Sequence, residues 1–315
     1  MTVRELLRLL YPSALPRDLD LELKAFRAVG SNRIRDLRSI RRVLATLDHH
    51  SAPSPISVRF SPGDVVEVDL EGMSIALDSA DISVSEPMIR DREYEPHITN
   101  VLRRLLRPGM TFLDIGANVG YYSLLGASIV GPGGRVIGIE PNSENCRLIL
   151  RSLELNHYSN VAIFPVALAE ETGWSYFVNH LGSNGSLSHS PRESLSGWGQ
   201  IVPTLRGDSV LQGPIDVIKM DVEGAEARVV AGLASLIEEC KPVIVTEVSH
   251  EMLTRVSGSG LAEFLGWFTD RGYGCALIGP GSDLPADLDD VQALVEAWGD
   301  SLRIENVLLR PRAVG

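Results

Sequence analysis

The chain has 315 residues, of which 44% are hydrophobic and 22% charged, a balance typical of a soluble globular protein and not of a disordered or fibrous one. Its formal net charge of −12 argues against a nucleic-acid partner. No apolar run approaches the ~20 residues that a membrane-spanning helix needs, so we expect no membrane association. The first residues mix arginine and glutamate with leucine and lack a signal-peptide core, which favours a cytoplasmic protein.

Residues 1–50 differ in charge from the remainder of the chain. They carry a net +4, so the residues after them carry −16. Leucines at helical spacing among the arginines predict helices over 2–11 and about 18–48. These leucines need a surface to bury against, which could be the chain's own main domain or a second copy. Because homodimers are the commonest oligomers, we expect a helical extension at or near a dimer interface.

Residues 51–92 combine a linker with a β-hairpin. Serine and proline break the helical pattern at 51–55. Alternating apolar residues over 66–70 and 73–77 flank Glu71-Gly72, which is the pattern of two strands joined by a tight glycine turn.

Residues 93–315 form the predicted main domain, which opens with an amphipathic helix over 93–107. Strands and helices then alternate, which predicts a doubly wound, mostly parallel seven-stranded sheet of the α/β class. Residues 171–210 interrupt this alternation. Within them 174–178 could form a strand, whereas the Gly/Ser-rich stretch 182–186 and the Ser/His/Pro-rich stretch after it are expected to be a loop, and the 180–200 part a substrate lid. The predicted strands are 110–115, 135–140, 160–165, 215–220, 242–248, 273–278 and 304–310, and the predicted helices are 119–130, 142–156, 225–238, 258–271 and 287–298.

The most informative motif is Phe-Leu-Asp-Ile-Gly-Ala-Asn-Val-Gly at 112–120. A strand, a glycine turn and a helix bring backbone N–H groups close to a ligand in α/β folds. The spacing is not the dinucleotide fingerprint G-x-G-x-x-G, since Asp114 precedes the first glycine. This variant suits a ligand with an ammonium group and no pyrophosphate, which indicates S-adenosylmethionine (SAM). We expect a side chain at Gly116 to intrude on the ligand.

A second acidic residue supports an adenosine ligand. Glu140 ends the next predicted strand, about 20 residues beyond the glycine turn, where an acid accepts hydrogen bonds from ribose hydroxyls. NAD enzymes share this device, so Glu140 alone leaves an NAD-dependent oxidoreductase open. The spacing around Asp114 argues against that alternative.

The second motif is Ile-Asp-Val-Ile-Lys-Met-Asp-Val-Glu-Gly-Ala-Glu at 215–226. Asp221 stands at the carboxyl end of a predicted strand, where ligands bind in such folds. Glu223 and Glu226 lie close to it in sequence, and both could instead cap the helix that follows. Lys219 is a candidate ion-pair partner within this cluster.

The two motifs together resemble the signatures of FkbM-family methyltransferases, and the resemblance covers roughly 93–250 and reaches Asn306. It implies a class I (Rossmann-like) fold, SAM as methyl donor and O-methylation of a sugar or natural-product hydroxyl. One departure is Thr204-Leu-Arg-Gly-Asp208, where the family often has Thr-Leu-Asp, so Asp208 receives no role. The first 90 residues lie outside the resemblance. The other positions that match in order are Asn156, 160–165, Ala167 and 242–247.

This reading assigns the cofactor-binding residues. The turn should wrap the methionine part of SAM, Asp114 should meet its ammonium directly or through water, and Glu140 should hold the ribose. The remaining positions lie beside the ribose and adenine or wall the adenine. The full set is Asp114, Gly116, Ala117, Asn118, Gly120, Glu140, Pro141, Asn142, Val166, Ala167 and Asp221.

The candidates for the base that removes the acceptor's proton are Asp221, Glu247 and His250, with His180 and His189 of the loop as further candidates. A histidine with a pKa near neutrality is a good base for a hydroxyl, although His250 could equally be a surface residue. Asp221 and Glu247 could instead hold Mg²⁺, which would acidify the hydroxyl. The expected partner is a small-molecule acceptor from a bacterial biosynthetic pathway. Methylation of a carboxylate or another nucleophile on a peptide or saccharide, and a non-catalytic SAM-binding module, stay open as alternatives.

Overall fold

The computed structural model describes residues 65–179, 183–188, 199–279, 284–288, 290–298 and 303–312. The helices predicted over 2–11 and 18–48, the linker at 51–55, and His180 and His189 lie outside these residues. The helical extension, the homodimer and the domain boundaries at 50 and 92 therefore stay predictions. Among the described residues, no helix is long and apolar enough to cross a membrane.

A seven-stranded sheet forms the centre of the molecule and confirms the predicted α/β architecture. Its strand order is β12-β13-β11-β10-β3-β4-β5. All neighbours are parallel except β13, which runs antiparallel to both β11 and β12. Its strands are β3 Thr111–Ile115, β4 Arg135–Ile139, β5 Val161–Phe164, β10 Val217–Met220, β11 Val243–Val248, β12 Tyr273–Ile278 and β13 Glu305–Pro311.

Helices cover both faces of this sheet. Successive residues of one strand point to opposite faces and therefore pack against different helices. Phe112 belongs to the apolar cluster that also contains α2, α3, α4 and the hairpin, whereas Leu113 belongs to the cluster with α6, α7 and α9. The helices are α1 Ser85–Asp91, α2 Pro96–Leu105, α3 Tyr121–Val130, α4 Ser143–Leu155, α5 Gly207–Val210, α6 Glu226–Gly232, α7 Ala234–Cys240, α8 His250–Met252 with a π-helical turn Leu253–Ser257, α9 Leu261–Thr269 and α10 Val291–Trp298.

Two helix predictions need correction, and helix α1 was missed. The helix expected over 93–107 begins only at Pro96, because Glu95 adopts a left-handed conformation with φ 40°. The helix expected over 225–238 is two helices, which Leu233 separates with φ −115°. Helix α1 was not predicted, since it lies within the segment assigned to linker and hairpin.

The predicted hairpin is confirmed and lies against α4. Strands β1 Val65–Leu70 and β2 Met73–Asp78 pair antiparallel around Glu71-Gly72. Backbone N–H groups on the free edge of β2 donate to side chains at the end of α4. Ser74 N donates to Oδ1 of Asn156, the residue after the helix, at 2.9 Å, and Ala76 N donates to Ser152 Oγ at 2.9 Å. An exposed strand edge would invite pairing with another chain, so these contacts also protect it.

The strand considered at 174–178 is present as Gly173–Asn179. The loop prediction from 182 onward is wrong for the residues that the structure describes, since Gly185–Ser188 and Gly199–Leu205 are also strands. Together with Ala167–Leu168 these segments form a second sheet of four strands in the order β6-β9-β7-β8. Its inner side chains Phe177, Leu187 and Val202 are buried with Ala225 and Val256. The strands are β6 Ala167–Leu168, β7 Gly173–Asn179, β8 Gly185–Ser188 and β9 Gly199–Leu205.

Close packing of α3 on β3 depends on a glycine in the middle of the helix. A Cβ added to Gly126 would overlap the ring of Phe112, which is fully buried. Gly266 in α9 is the opposite case, because an added Cβ there meets nothing within 4 Å.

We expect Gly126→Ala to lower the free energy of unfolding by about 1–2 kcal/mol, because overpacking against Phe112 outweighs the gain in helix propensity of about 1 kcal/mol. Gly266→Ala should raise it by about 0.5–1 kcal/mol, since only the propensity changes. Urea denaturation of both variants measures this. Equal effects of the two substitutions would contradict the packing argument.

Candidate active site

Four acidic side chains stand at the same edge of the central sheet. Strands β3, β4, β10 and β11 are parallel neighbours, so their carboxyl ends meet at one edge. Asp114 lies near the end of β3, Glu140 follows β4, Asp221 follows β10 and Glu247 lies near the end of β11. The structure therefore brings both sequence motifs to the edge where ligands bind in such folds.

The glycine turn is held against the end of β4. Gly116 N and Ala117 N donate to the carbonyl oxygen of Ile139 at 2.9 and 3.0 Å. Gly116, Asn118 and Gly120 all have positive φ values, of 79°, 52° and 89°. Such a path is costly for most side chains, which explains the two glycines and the asparagine.

Gly116 has a structural role that the sequence did not indicate. A Cβ at this position would overlap the backbone carbonyl oxygen of Asp221. Gly116 is thus needed for the close approach of the turn to the end of β10. A larger residue there would disturb the fold and the site together.

Asp114 is a fully buried carboxylate, and only one of its two oxygens accepts a hydrogen bond from the described residues. Its Oδ2 accepts from Ser123 Oγ at 2.6 Å. Its Oδ1 has no hydrogen-bond partner among the described residues. Burial raises the pKa of Asp114, while the Lys219 ammonium and the Ser123 hydroxyl act in the opposite direction. A buried acceptor without a partner is costly, so Oδ1 fits a donor that a ligand or a water supplies.

Glu140 is buried beneath the same turn. Its Oε2 accepts from Asn118 N at 2.7 Å and its Oε1 from Asn142 N at 2.8 Å. Burial raises its pKa to about 7, although these backbone N–H groups lower it. Oε2 keeps a second lone pair, so the carboxylate can still accept from a ligand hydroxyl. Asn145, which sequence reasoning missed, approaches Oε1 at 3.4 Å through Nδ2.

Lys219 supplies a buried cation between the two motifs. It stands opposite Asp114 in the β3–β10 register, and its Nζ lies 3.1 Å from Asp221 Oδ2, which confirms the predicted ion pair. Nζ also lies 4.9 Å from the ring centroid of Tyr122. Burial lowers the pKa of Lys219, but Asp221, Asp114 and Glu95 more than reverse this, so its pKa is above the ordinary value.

Glu247 and Glu95 extend the cluster on the side of Asp221. Burial raises the pKa of Glu247 well above its usual range, and the charges of Asp221, Glu223 and Glu95 raise it further. Glu95 was not predicted. Its Oε2 accepts from the hydroxyl of Tyr122 at 2.7 Å. The only signal in the sequence was an acid directly before Pro96 at a helix start.

Glu226 and Asp208 accept hydrogen bonds from backbone N–H groups near the starts of two helices. Glu226 lies in the first turn of α6, but its Oε1 accepts from Val222 N at 3.1 Å and Gly224 N at 3.2 Å in the preceding turn, so the expected capping hydrogen bond to the helix is not made. Burial raises its pKa to about 7. Asp208 accepts from Ser235 N and Leu236 N at 3.3 and 3.0 Å at the start of α7.

The remaining predicted residues are less informative. His250 begins α8, and its Nδ1 accepts from Leu261 N at 3.4 Å, at the start of α9. Val166 follows β5, and Ala167 opens β6. Asn142 caps α4 through Glu144 N, directly after Pro141. Among the described residues, no group of three or more acidic, histidine or cysteine side chains is arranged to hold a metal ion.

A strand, a glycine turn and a helix with acids at two strand ends define a nucleoside-cofactor site of the α/β class. The Methyltransferase FkbM domain matches residues 114–275, slightly more than half of the chain. The chain belongs to the FkbM methyltransferase family.

The chain also has more distant similarities to individual proteins. A protein-L-isoaspartate O-methyltransferase of Methanothrix thermoacetophila is 36% identical over 70 residues, 22% of this chain and 33% of that protein. One of Methanopyrus kandleri is 31% identical over 98 residues, 30% of this chain and 36% of that protein. The chain thus spans about a third of these relatives' length. The structure of methyltransferase FkbM from Methylobacillus flagellatus KT aligns with 93% of this chain and 60% of its own, at 18% identity and a TM-score of 0.42.

The raised pKa of Glu226 predicts the sign of a pH effect on stability. Between its ordinary pKa of 4.5 and the folded value of about 7, the folded chain binds more protons than the unfolded one. The free energy of unfolding therefore falls as pH rises through this window, by roughly 3 kcal/mol at most for one group. Glu226→Gln keeps the acceptor oxygen and removes the titration.

Urea denaturation at pH 5, 6, 7 and 8 measures the effect. We expect the variant to lose less stability than the wild type across this range. Some decline should persist, because burial also raises the pKa of Glu140, Glu247 and Asp114. The same pH slope in both proteins would contradict the assignment.

Proposed function

We propose that the protein is a SAM-dependent O-methyltransferase that acts on a hydroxyl of a small molecule, such as a natural product or sugar. The observation that carries the proposal is the pair of buried acids under the glycine turn. Asp114 has a buried oxygen without a partner among the described residues, and Oε2 of Glu140 keeps a lone pair beside the turn. An ammonium and a ribose diol are the groups that such acceptors would bind.

The residues present fit SAM. Asp114 is fully buried, so we propose that its Oδ1 meets the ammonium of the methionine part through a bridging water. Glu140 would accept from the ribose hydroxyls, with Pro141 and Asn142 beside it. When bound, SAM supplies the electrophilic methyl group.

The charge of the site favours a hydroxyl acceptor over a carboxylate. Asp221, Glu223, Glu95 and Glu247 interact electrostatically at the ends of β10 and β11, with Lys219 as the neighbouring cation. A carboxylate acceptor would be repelled by this cluster, whereas a neutral hydroxyl would not. The names of the two isoaspartate O-methyltransferases favour the carboxylate alternative, so methylation of a carboxylate remains the second candidate.

In O-methylation the acceptor oxygen bonds to the methyl carbon, the carbon–sulfur bond breaks, and the hydroxyl proton must leave. Burial and the neighbouring charges raise the pKa of Glu247 well above its usual range, which favours its protonated form and makes it the weaker candidate to take that proton. Asp221 is held at the strand end by the Lys219 ammonium, which lies 3.1 Å from its Oδ2. We propose Asp221 as the base or as the residue that orients the hydroxyl, with Glu247 and His250 as further candidates. Mg²⁺ on Asp221 and Glu247 would be an alternative way to acidify the hydroxyl.

Asp221→Asn should reduce turnover by roughly 10²-fold or more, the usual scale for losing acid–base catalysis. Affinity for S-adenosylhomocysteine should be mostly retained. The matched control is Asp216→Asn at the opposite end of β10, where the carboxylate accepts from Thr111 N at 2.7 Å. We expect the control to keep turnover within about twofold. Loss of activity in EDTA that Mg²⁺ restores would select the metal alternative, and near wild-type turnover of Asp221→Asn would remove it from the chemistry.

The class of reaction can be tested on the wild-type protein. We expect S-adenosylhomocysteine to raise the melting temperature and NAD to leave it unchanged. Incubation with SAM and a panel of neutral hydroxyl compounds and matched carboxylic acids should then add the mass of one methyl group to a hydroxyl compound. Stabilisation by NAD alone would indicate an oxidoreductase, and methylation confined to the carboxylic acids would select the second candidate.

A further inference from the structure

The turn between β7 and β8 contacts the cofactor loop through amide side chains. Asn118 Nδ2 donates to Asn184 Oδ1 at 2.7 Å. Asn145 Nδ2 donates to the carbonyl oxygen of Ser183 at 3.0 Å. Asn142 Nδ2 lies 3.5 Å from Asn179 Oδ1. Three positions around the predicted ribose site are thus joined to the second sheet.

Ser183 stands close to Glu140. The same amide nitrogen of Asn145 that donates to Ser183 O also lies 3.4 Å from Glu140 Oε1. This shared partner places the backbone of Ser183 beside the carboxylate that is expected to bind ribose.

The hydroxyl of Ser183 is buried without a partner. Ser183 is 8% exposed, and its Oγ makes no hydrogen bond to any of the described residues. A serine hydroxyl can both donate and accept, and leaving it buried and unpaired is costly. It is a second unpaired polar atom near the glycine turn, independent of Asp114.

We propose that Ser183 and Asn184 form a second wall of the cofactor site. Ser183 Oγ binds a ribose hydroxyl opposite Glu140, and Asn184 fixes the side chain of Asn118, whose backbone has a positive φ of 52°. The inference rests on the proposed function, because the ligand that brings the vicinal diol is SAM or its product.

This assignment changes the role expected for the 180–200 segment. The prediction was a lid that serves the acceptor. The contacts of Ser183 and Asn184 go instead to the loop and helix of the cofactor half of the site. Substitutions at these two residues should therefore weaken cofactor binding directly.

Isothermal titration calorimetry with S-adenosylhomocysteine tests the proposal. We expect Ser183→Ala and Asn184→Ala each to weaken binding by roughly 3–10-fold, the scale of one lost hydrogen bond. The matched control is Ser175→Ala in β7, whose affinity should equal that of the wild type. Thermal denaturation of each variant establishes that it is folded.

Analogues of the ligand separate a direct contact from a structural role. The wild type should bind 2′-deoxy- or 3′-deoxy-S-adenosylhomocysteine more weakly than the parent ligand. For the analogue that lacks the contacted hydroxyl, Ser183→Ala should cause no further loss. Unchanged affinity of Ser183→Ala, or an equal loss for the parent and both analogues, would overturn the proposal. If the wild type showed no binding of S-adenosylhomocysteine at any concentration, the proposed function would be overturned, and this inference with it.

Discussion

The site depends on a buried lysine held between two carboxylates from different motifs. Lys219 stands beside Asp114 in the sheet and pairs with Asp221 at 3.1 Å. An unpaired buried charge is strongly unfavourable, so each member of this cluster requires the others. The ion pair thereby joins the cofactor half of the site, around β3, to the half around β10 where chemistry is proposed.

The acids of the site lie in different surroundings. Burial among like charges raises the pKa of Glu247, whereas the Lys219 ammonium stands beside Asp221. Burial raises the pKa of Glu140 to about 7, so its charge at neutral pH is sensitive to what approaches it. The backbone N–H groups of Asn118 and Asn142 hold its carboxylate where we propose that the ribose binds.

Much of this arrangement could be predicted from the sequence because its signals are local. Asp114 and the glycine spacing mark one strand end, and Asp221 marks another. Parallel strands then place both at one edge. The pair between Lys219 and Asp221 was predictable for the same reason, since the residues are two positions apart.

Other features could not be predicted because they depend on contacts between distant segments. Glu95 lies in the site because α2 packs beside α3, where the hydroxyl of Tyr122 donates a hydrogen bond to its carboxylate. Gly116 faces the backbone of Asp221, which the turn itself does not reveal. Of the second sheet only the strand at 174–178 was considered from the sequence, because Gly- and Ser-rich stretches typical of loops surround the other strands.

The central proposal is that Asp114 recognises the ammonium of SAM through a bridging water. The most direct measurement compares the affinities of wild type and Asp114→Asn for S-adenosylhomocysteine and for its analogue without the α-amino group. We predict that wild type prefers the amino form by about tenfold or more, as for a hydrogen bond to a charged group. The preference should shrink in Asp114→Asn. An equal preference in both proteins would contradict the account.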